Sequence, residues 1–544
     1  MKIKFGKALK IVVCVFLLLA FSSNTIYYQV QAQTELSIKH FTFNVYGIFD
    51  TTPQIYAGLY DMSVAGWDAY VSNNLEQVKA IKPDFKSLIY WNMRSVQNVD
   101  WMSEVWDACV ANGWFLLDSR GNRIYTDVGY LIDFGDSAYQ AWIANYLNAL
   151  MNSVSYDGIY GDQNLAWGVN EYCWGCEAAP TNPRTGQVWT DAEVRQALIA
   201  YHKAIKNAIG SKLLVCNGIW SGYRFYDHKS AYQEILSASP LDGFMSESLW
   251  HPYIGSTPCI WMSEQQWLQA VQFLIWVQDN WLLGHPERCY VPVVKLAFGN
   301  QRATPIPSGS TRQQMAIYGY ASTLLGIKQS VGNQVYFSSF ADTAFIEQYL
   351  KPMFDAEIGT PAGDLYMIGG THVYARDFSN GKVLVNPTDS SYTVNLGSPN
   401  FVNAATGQLV PQTITIPPHT GRVLTGATEP SPSPSPTPST EIWTDKAAYD
   451  NGETMYVYVQ ATNPGPAINI RLTAKIGLPG GGTYGLWTIY QGYVPAGYYG
   501  RAILWETFQV PHSTAAGTYS WICEMRDAAT NAQIDSDTYY WTAT

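Results

Sequence analysis

The chain has 544 residues, a length that predicts two to four domains rather than one. Only 14% of the residues are charged and the net charge is −11, which gives no support to binding of nucleic acid or of an anionic membrane. Aromatic residues also make up 14%, with 20 Trp and 38 Tyr, and low charge with many aromatic rings is typical of exported proteins that bind carbohydrate, although most of these rings must lie in ordinary cores.

The N-terminus has the features of an export signal. Four lysines accompany an apolar run from Ile11 to Phe21, which is too short to span a bilayer comfortably. Val30-Gln31-Ala32 then resembles a cleavage site ending at Ala32. We therefore predict a signal peptide over residues 1–32 and a secreted, extracellular or cell-surface protein, with an uncleaved N-terminal anchor as the alternative.

Strand-like and helix-like segments alternate over residues 33–350, as a parallel α/β structure requires. Eight predicted strands separated by amphipathic segments favour a (β/α)8 TIM barrel. An open doubly wound sheet is the alternative, but no Gly-rich phosphate-binding turn follows the first strand. The strands are predicted at His40–Phe49, Leu59–Val64, Lys86–Met93, Tyr156–Asp162, Lys212–Ile219, Gly243–Leu249, Tyr290–Phe298 and Gln334–Ser339.

Two insertions interrupt this alternation. Residues 114–134 read as a small hairpin, and residues 164–189 form a long polar and aromatic loop directly after the fourth strand. The loop contains Cys173 and Cys176, and their spacing, without a second Cys or His pair to match, favours a disulfide over a zinc site. A long loop at the strand ends is where substrate selectivity is expected to be built.

The rest of the chain is predicted to be β-structure. Residues 351–426 contain short alternating strands, which predict a small antiparallel β-sandwich attached to the barrel. Residues 427–440 form a Pro/Ser linker, a stiff spacer that cannot build a core. Residues 441–544 alternate again and predict an immunoglobulin-like β-sandwich. The sequence leaves open whether this module binds polysaccharide, binds the cell surface or only extends the protein, and it leaves the oligomeric state open too.

Two predicted barrel strands deliver a carboxylate near their C-terminal ends, namely Asp162 on the fourth and Glu247 on the sixth. Residues at such ends point into the mouth of a barrel. Cleavage of a sugar acetal needs one protonated and one ionised carboxyl group that converge across the sugar. We therefore predict Asp162 and Glu247 as the catalytic pair. Asp157 and Asp242 start the same strands, where turn formation is the better explanation.

Further polar and aromatic residues near the ends of predicted strands are expected to bind substrate. Any one of these residues alone is more often structural, so the prediction depends on their clustering on one predicted face of the barrel. For Asp133 a helix N-cap is an equal alternative, and Asp61 could instead balance a charge. An apolar setting beside Trp250 would favour the protonated form of Glu247. The predicted set is Asp61, Tyr90, Trp91, Asn92, Asp133, Asn217, Trp220, Trp250, His251 and Lys295.

Other hydrolase chemistries lack their motifs in this sequence. There is no G-x-S-x-G elbow and no H-E-x-x-H motif, and the His residues are scattered. We therefore predict neither a nucleophilic serine nor a metal or cofactor.

At this point the sequence resembles a known family. Tyr130-Leu131-Ile132-Asp133-Phe134, a predicted helix, and then Tyr156-Asp157-Gly158-Ile159-Tyr160-Gly161-Asp162 resemble the signature of the hypothetical glycosyl hydrolases of the family 15 type. Leu59-Tyr60-Asp61, with Ile81-Lys82-Pro83 and Ser87-Leu88-Ile89-Tyr90, is similar to that group's second strand, helix end and third strand. The resemblance covers roughly residues 40–340. Gly161 departs from the pattern, since a bulky apolar residue usually stands before the Asp.

That group is related to α-galactosidase-like barrels. The resemblance implies a glycoside hydrolase of poly- or oligosaccharides, with Asp162 as nucleophile or base and Glu247 as general acid. Its partner would be a carbohydrate substrate rather than nucleic acid. The alternative is a non-catalytic cell-surface protein that binds glycan or mediates adhesion on the same scaffold.

Overall fold

A computed structural model describes residues 38–44, 51–66, 69–126, 128–153, 155–250, 260–298, 302–303, 306–397, 401–426, 438–463, 467–494, 498–499 and 503–544. The predicted signal peptide, most of the Pro/Ser linker and His251 lie outside the described residues. The chain divides into two compact units, Met1–Ala427 and Thr428–Thr544. Among the helices of the described ranges, none is long and apolar enough to cross a membrane.

Eight parallel strands form a closed barrel in the first unit. Each strand pairs with its neighbour in chain order, β8 pairs with β1, and parallel bridges at Tyr290–Val335 and Val293–Ser338 join β7 to β8. The predicted (β/α)8 barrel is thereby confirmed, and the open-sheet alternative is wrong because the sheet closes on itself. The strands are β1 (Lys39–Asn44), β2 (Met62–Ala65), β3 (Lys86–Asn92), β4 (Gly158–Asp162), β5 (Leu213–Asn217), β6 (Gly243–Ser246), β7 (Cys289–Pro292) and β8 (Tyr336–Phe337).

Alternation along these strands separates an inner core from an outer one. Side chains such as Leu88 and Tyr160 fill the barrel interior, whereas Ile89 and Ile159 pack on the helices outside. The same alternation turns Tyr90 and Asp162 inward at the strand ends and turns Trp91 outward. The register therefore decides which of the terminal residues reach the mouth.

Helices cover the outside of the barrel. The longest, α6, begins with a capping box in which Thr190 and Glu193 bond each other's backbone N–H groups, and α9 begins with the same device at Ser263 and Gln266. The helices are α1 (Pro53–Leu59), α2 (Ala69–Ile81), α3 (Ser103–Asn112), α4 (Ser137–Ser153), α5 (Val169–Tyr172), α6 (Asp191–Ile209), α7 (Gly222–Asp227), α8 (Lys229–Ala238), α9 (Glu264–Val277), α10 (Arg312–Gly326), α11 (Thr343–Tyr349) and α12 (Lys351–Phe354).

The two insertions are ordered against the barrel. Ser95–Val96, Tyr125–Thr126 and Gly129–Leu131 form a three-stranded sheet between β3 and α4. In the loop after β4, Cys173 and Cys176 form a disulfide with their Cα atoms 5.1 Å apart. The predicted hairpin and the predicted disulfide are therefore both present.

Antiparallel sheets follow the barrel within the first unit. Arg376, which is buried, donates hydrogen bonds to the carbonyls of Leu325 and Ile327 and so ties these sheets to the C-terminal end of α10. Two short strands, Phe401–Asn403 and Gln408–Val410, were not predicted. A six-stranded sheet contains Tyr366–Met367, Tyr374–Phe378, Gly381–Asn386, Phe401–Asn403, Gln408–Val410 and Thr420–Gly426, and a two-stranded sheet contains Tyr392–Asn395 and Thr413–Ile416.

The second unit consists of two mainly antiparallel sheets around a core that contains Trp521 and Trp541. This agrees with the predicted β architecture, while its immunoglobulin-like character stays a prediction. One sheet contains Ser439–Thr444, Thr454–Asn463, Tyr498–Tyr499 and Ile503–Gln509, and the other contains Ala448–Tyr449, Ile468–Gly477, Thr483–Val494, Gly517–Asp527 and Gln533–Ala543.

Candidate active site

Two carboxylates face each other at the mouth of the barrel. Asp162 is the last residue of β4 and Glu247 directly follows β6. The side-chain amide nitrogen of Asn217, at the end of β5, donates to both, at 2.9 Å to Asp162 Oδ1 and 3.0 Å to Glu247 Oε2. Because one nitrogen donates to both, the two accepting oxygens lie less than about 6 Å apart.

Neutral donors surround Asp162. The Tyr90 hydroxyl donates to Oδ2 at 2.8 Å, and the backbone N–H of Gln163 donates to Oδ1 at 2.8 Å. Burial and then the negative charge of Glu247 raise the pKa of Asp162, against the opposing effects of the hydrogen bonds from Asn217 and Tyr90 and of the Lys295 charge. Asp162 therefore keeps a proton to higher pH than an Asp in water.

Glu247 has a cationic partner. Lys295, three residues beyond β7, forms a close ion pair with Glu247 Oε1. The Lys295 side chain is only 3% exposed, and a charge so deeply buried needs an ionised counter-charge. The contacts thus distinguish the two carboxyl groups, since Glu247 forms an ion pair with Lys295, whereas among the described residues the hydrogen bonds to Asp162 come from neutral groups.

An aromatic layer forms the floor below the carboxylates. The ring of Phe43 lies 5.4 Å from that of Tyr160, 6.0 Å from that of Tyr90 and 4.9 Å from that of Phe340, measured between centroids. The Tyr160 hydroxyl is buried against the sulfur of Met245 at 3.1 Å. This apolar floor is the physical source of the desolvation that Asp162 experiences.

The chain turns sharply after Asp162, and buried polar groups hold the turn. Gln163 has a φ of 56°, in the left-handed region. The side chain of the next residue, Asn164, contacts His202 Nε2 of α6 at 2.8 Å, and His202 Nδ1 contacts Ser239 Oγ at 2.8 Å. Sequence reasoning missed Asn164 and His202, because nothing near them in the sequence indicates that they meet.

Gly161 has a packing role. A Cβ atom at this position would lie 2.5 Å from the sulfur of Met93, on the outer face of the sheet. The departure from the family pattern therefore makes room for Met93 and does not widen the substrate pocket.

Asp61 was predicted at the mouth, and this is wrong. The structure places Leu59 at the end of α1, so β2 starts only at Met62 and Asp61 precedes it. On that opposite, N-terminal side of the barrel, its carboxylate accepts hydrogen bonds from the backbone of His40 and from Lys82, each at 2.7 Å. Asp61 therefore balances a charge, the alternative that the sequence had left open.

The predicted roles of two tryptophans as substrate contacts are also wrong. Trp91 turns outward from β3 and packs against Tyr146 of α4, with 5.8 Å between ring centroids. Trp250 is fully buried, and its indole N–H donates to Thr323 of α10 at 3.0 Å. Both rings belong to the layer between the strands and the helices, where no sugar can reach them.

Asp133 and Asn92 stabilise loops around the mouth. Asp133, which is buried, forms a two-point ion pair with the partly exposed Arg184 of the loop after β4, at 2.8 and 3.0 Å, while Asp136 caps α4. Asp136 is therefore the helix cap, and the contact of Asp133 with substrate stays a prediction. Asn92 lies beside Asp162 in register, and its side-chain Oδ1 accepts a hydrogen bond from the backbone N–H of Arg94 at 3.0 Å.

The structure thus brings five of the predicted residues together, namely Tyr90, Asp162, Asn217, Glu247 and Lys295. Trp220 lies near them, half-buried, with its ring 5.6 Å from that of Trp174, a residue the sequence did not single out. Within the described ranges, no three His, Cys, Asp or Glu side chains are grouped so that they could hold a metal ion.

Comparison with known proteins supplies the family. The model of hypothetical glycosyl hydrolase family 15 matches residues 79–382, more than half of the chain, and this confirms the resemblance seen in the sequence. No curated protein matches. Among solved structures, Eubacterium rectale Amy13B is 11% identical with a TM-score of 0.37, covering 73% of this chain and 98% of that one. The GH36 alpha-galactosidase AgaA from Geobacillus stearothermophilus is 9% identical with a TM-score of 0.37, covering 71% and 55%.

Proposed function

We propose that this chain, which belongs to hypothetical glycosyl hydrolase family 15, is a glycoside hydrolase that cleaves poly- or oligosaccharides with retention of anomeric configuration. The observation that carries the proposal is the hydrogen bonding of one Asn217 nitrogen to both Asp162 and Glu247. It holds the nearest oxygens of the two carboxyl groups within about 6 Å of each other, and this closeness favours the arrangement of retaining enzymes (about 5–5.5 Å between carboxyl groups) over that of inverting ones (about 6.5–9.5 Å).

The charges around the pair favour Glu247 as nucleophile. Its carboxylate, which forms an ion pair with Lys295, attacks the anomeric carbon, while Asp162 gives its proton to the departing glycosidic oxygen. Asp162, now a carboxylate, then takes a proton from the water that attacks the glycosyl–enzyme bond. This releases the sugar, frees the Glu247 carboxylate and returns the proton to Asp162.

This assignment reverses the roles that the family resemblance implies, in which Asp162 is the nucleophile or base and Glu247 is the general acid. It rests on the contacts, because the donors to Asp162 are the neutral groups of Tyr90, Asn217 and Gln163, whereas Glu247 contacts an ammonium group. A carboxyl group without a cation partner is the one that holds the shared proton when two lie this close.

The experiment is a screen of aryl glycosides and oligosaccharides, with the first-formed anomer of the product read by NMR. Retention is expected, and an inverted product would refute the proposal. Glu247→Ala and Asp162→Ala are then assayed with azide on an activated substrate. Azide should give a glycosyl azide of inverted configuration with Glu247→Ala and of retained configuration with Asp162→Ala. The opposite pattern would make Asp162 the nucleophile.

Asp157→Asn is the control for this screen. Asp157 directly precedes β4, where its carboxylate accepts a hydrogen bond from the Ser87 backbone and pairs with Lys79, at the end of the strand opposite to the barrel mouth. It should keep the turnover of the parent protein. If the panel shows binding but no hydrolysis, the non-catalytic glycan-binding alternative gains support. The basic and apolar N-terminus supports export, which N-terminal sequencing of protein from a culture supernatant tests.

A further inference from the structure

A pair of tryptophans stands beside the carboxylates on the same face of the barrel. Trp220 lies three residues beyond β5, and its carbonyl accepts a hydrogen bond from Ser248, the neighbour of Glu247, at 3.2 Å. Its ring lies 5.6 Å from that of Trp174, with 58° between the ring planes. Trp174 is 41% exposed. The two rings therefore form an open V, and the backbone of Trp220 lies next to the segment that carries Glu247.

The backbone of Trp174 is fixed although its ring is open to solvent. The Cys173–Cys176 disulfide encloses Trp174 in a short loop. Arg94, which is 2% exposed, donates from Nη1 to the carbonyls of Trp174 at 2.9 Å and of Tyr172 at 3.2 Å. Because Arg94 follows the end of β3, these bonds fasten the loop to the strand ends that carry the active site.

Holding the Trp174 ring rigid and exposed to water costs free energy, which contact with a ligand would recover. An indole left in water forfeits the free energy that its burial would gain, and a covalent loop with a buried cation prevents it from collapsing into the core. A rigid, exposed aromatic face is suited to the apolar C–H face of a sugar ring, since both partners are flat and little conformational entropy is lost on contact.

We propose that Trp174 and Trp220 form a subsite that binds a sugar unit adjacent to the one held by Asp162 and Glu247. The substrate is then a saccharide chain rather than a single sugar on a small aglycone. The Cys173–Cys176 disulfide positions Trp174 for this contact. The inference rests on the proposed function for the nature of the neighbouring site, but the subsite itself can be tested by binding alone.

The kinetic test compares short and long substrates. Trp174→Ala should lower kcat/KM for oligosaccharides of three or more sugars about tenfold, the loss expected when roughly 50 Å² of apolar contact is removed, and should leave aryl monoglycosides nearly unchanged. Trp174→Phe should recover much of the loss. Cys173→Ser with Cys176→Ser should reproduce the selective loss. Leu283→Ala, at an exposed apolar residue that leads into β7 from the opposite side of the barrel, is the control.

The binding test separates this inference from the proposed function. Calorimetry on Glu247→Gln is run with cello-, malto-, xylo-, galacto- and chito-oligosaccharides. Binding that Trp174→Ala weakens about tenfold supports the subsite even if the parent protein hydrolyses nothing. Equal losses for monoglycosides and oligosaccharides would overturn it. So would unchanged binding in Trp174→Ala, or a panel in which no oligosaccharide binds.

Discussion

Replacing Lys295 with Met is the sharpest test of how charge is arranged in the active site. Met keeps the length and apolar character of the side chain but removes the ammonium that contacts Glu247. The neighbouring carboxyl groups of Asp162 and Glu247 would then lie close together without a cation in contact with Glu247, so one more proton must be bound at neutral pH.

The magnitude follows from the burial of the pair. Removing one partner of a buried ion pair costs about 3–5 kcal/mol of unfolding free energy. The folded variant recovers part of this by binding a proton, so its deficit should shrink by up to about 1.4 kcal/mol for each unit that the pH is lowered. In catalysis, loss of the positive charge that contacts Glu247 should move the acidic limb of the pH–rate profile to higher pH.

The assays are urea unfolding at several pH values and the pH dependence of kcat/KM on the best substrate of the screen. Lys206→Met is the matched control, because Lys206 pairs with Asp242 at 2.7 Å at the start of β6, on the opposite side of the barrel. The control should lose stability and keep the parent pH–rate profile. An acidic limb that stays in place in Lys295→Met would refute the assignment of Glu247 as the ionised nucleophile.

Three further predictions concern the residues that support the site. Trp250→Ala should cost about 3–5 kcal/mol in urea unfolding, because the ring is a core residue, and a change in substrate KM without a loss of stability would contradict this placement. Burial lowers the pKa of His202 to about 3, so below pH 6.5 only the unfolded state binds its proton. Unfolding free energy should therefore fall by about 2 kcal/mol between pH 7 and pH 5, a loss that should be absent in His202→Gln. Gly161→Val should destabilise the protein through its clash with Met93, by about 1–3 kcal/mol, and adding Met93→Ala should restore stability, whereas additive losses would exclude this packing account.

The barrel could be predicted because its signals are local. Each strand is a short apolar run and each helix an amphipathic one, so all eight strands were located, although several are shorter than predicted. Asp162 and Glu247 were found for the same reason, since each ends such a run. Asp61 was misplaced because Leu59 and Tyr60 were read as the start of β2, whereas Leu59 ends α1. The strand starts three residues later, at Met62, so Asp61 lies before β2 rather than at its C-terminal end.

Side-chain direction was harder to predict. A strand buried on both faces shows no polar alternation, so the sequence does not say which of two successive residues faces the mouth. Trp91 was therefore assigned to the substrate although Tyr90 is the residue that reaches Asp162. Trp250 was misassigned for a related reason, because a tryptophan beside a carboxylate suggests a sugar contact until its packing against α10 is known.

The sequence by itself determined the barrel, the strand ends and the two carboxylates that stand there. Only the tertiary structure decided how these carboxylates relate to each other and to their partners. Asp162 and Glu247 come from β4 and β6, and the gap between them depends on the curvature of the closed sheet and on Asn217 of β5 between them. Lys295 and Trp174 come from still more distant segments, and no local sequence pattern indicates that closure of the barrel brings both of them to its mouth.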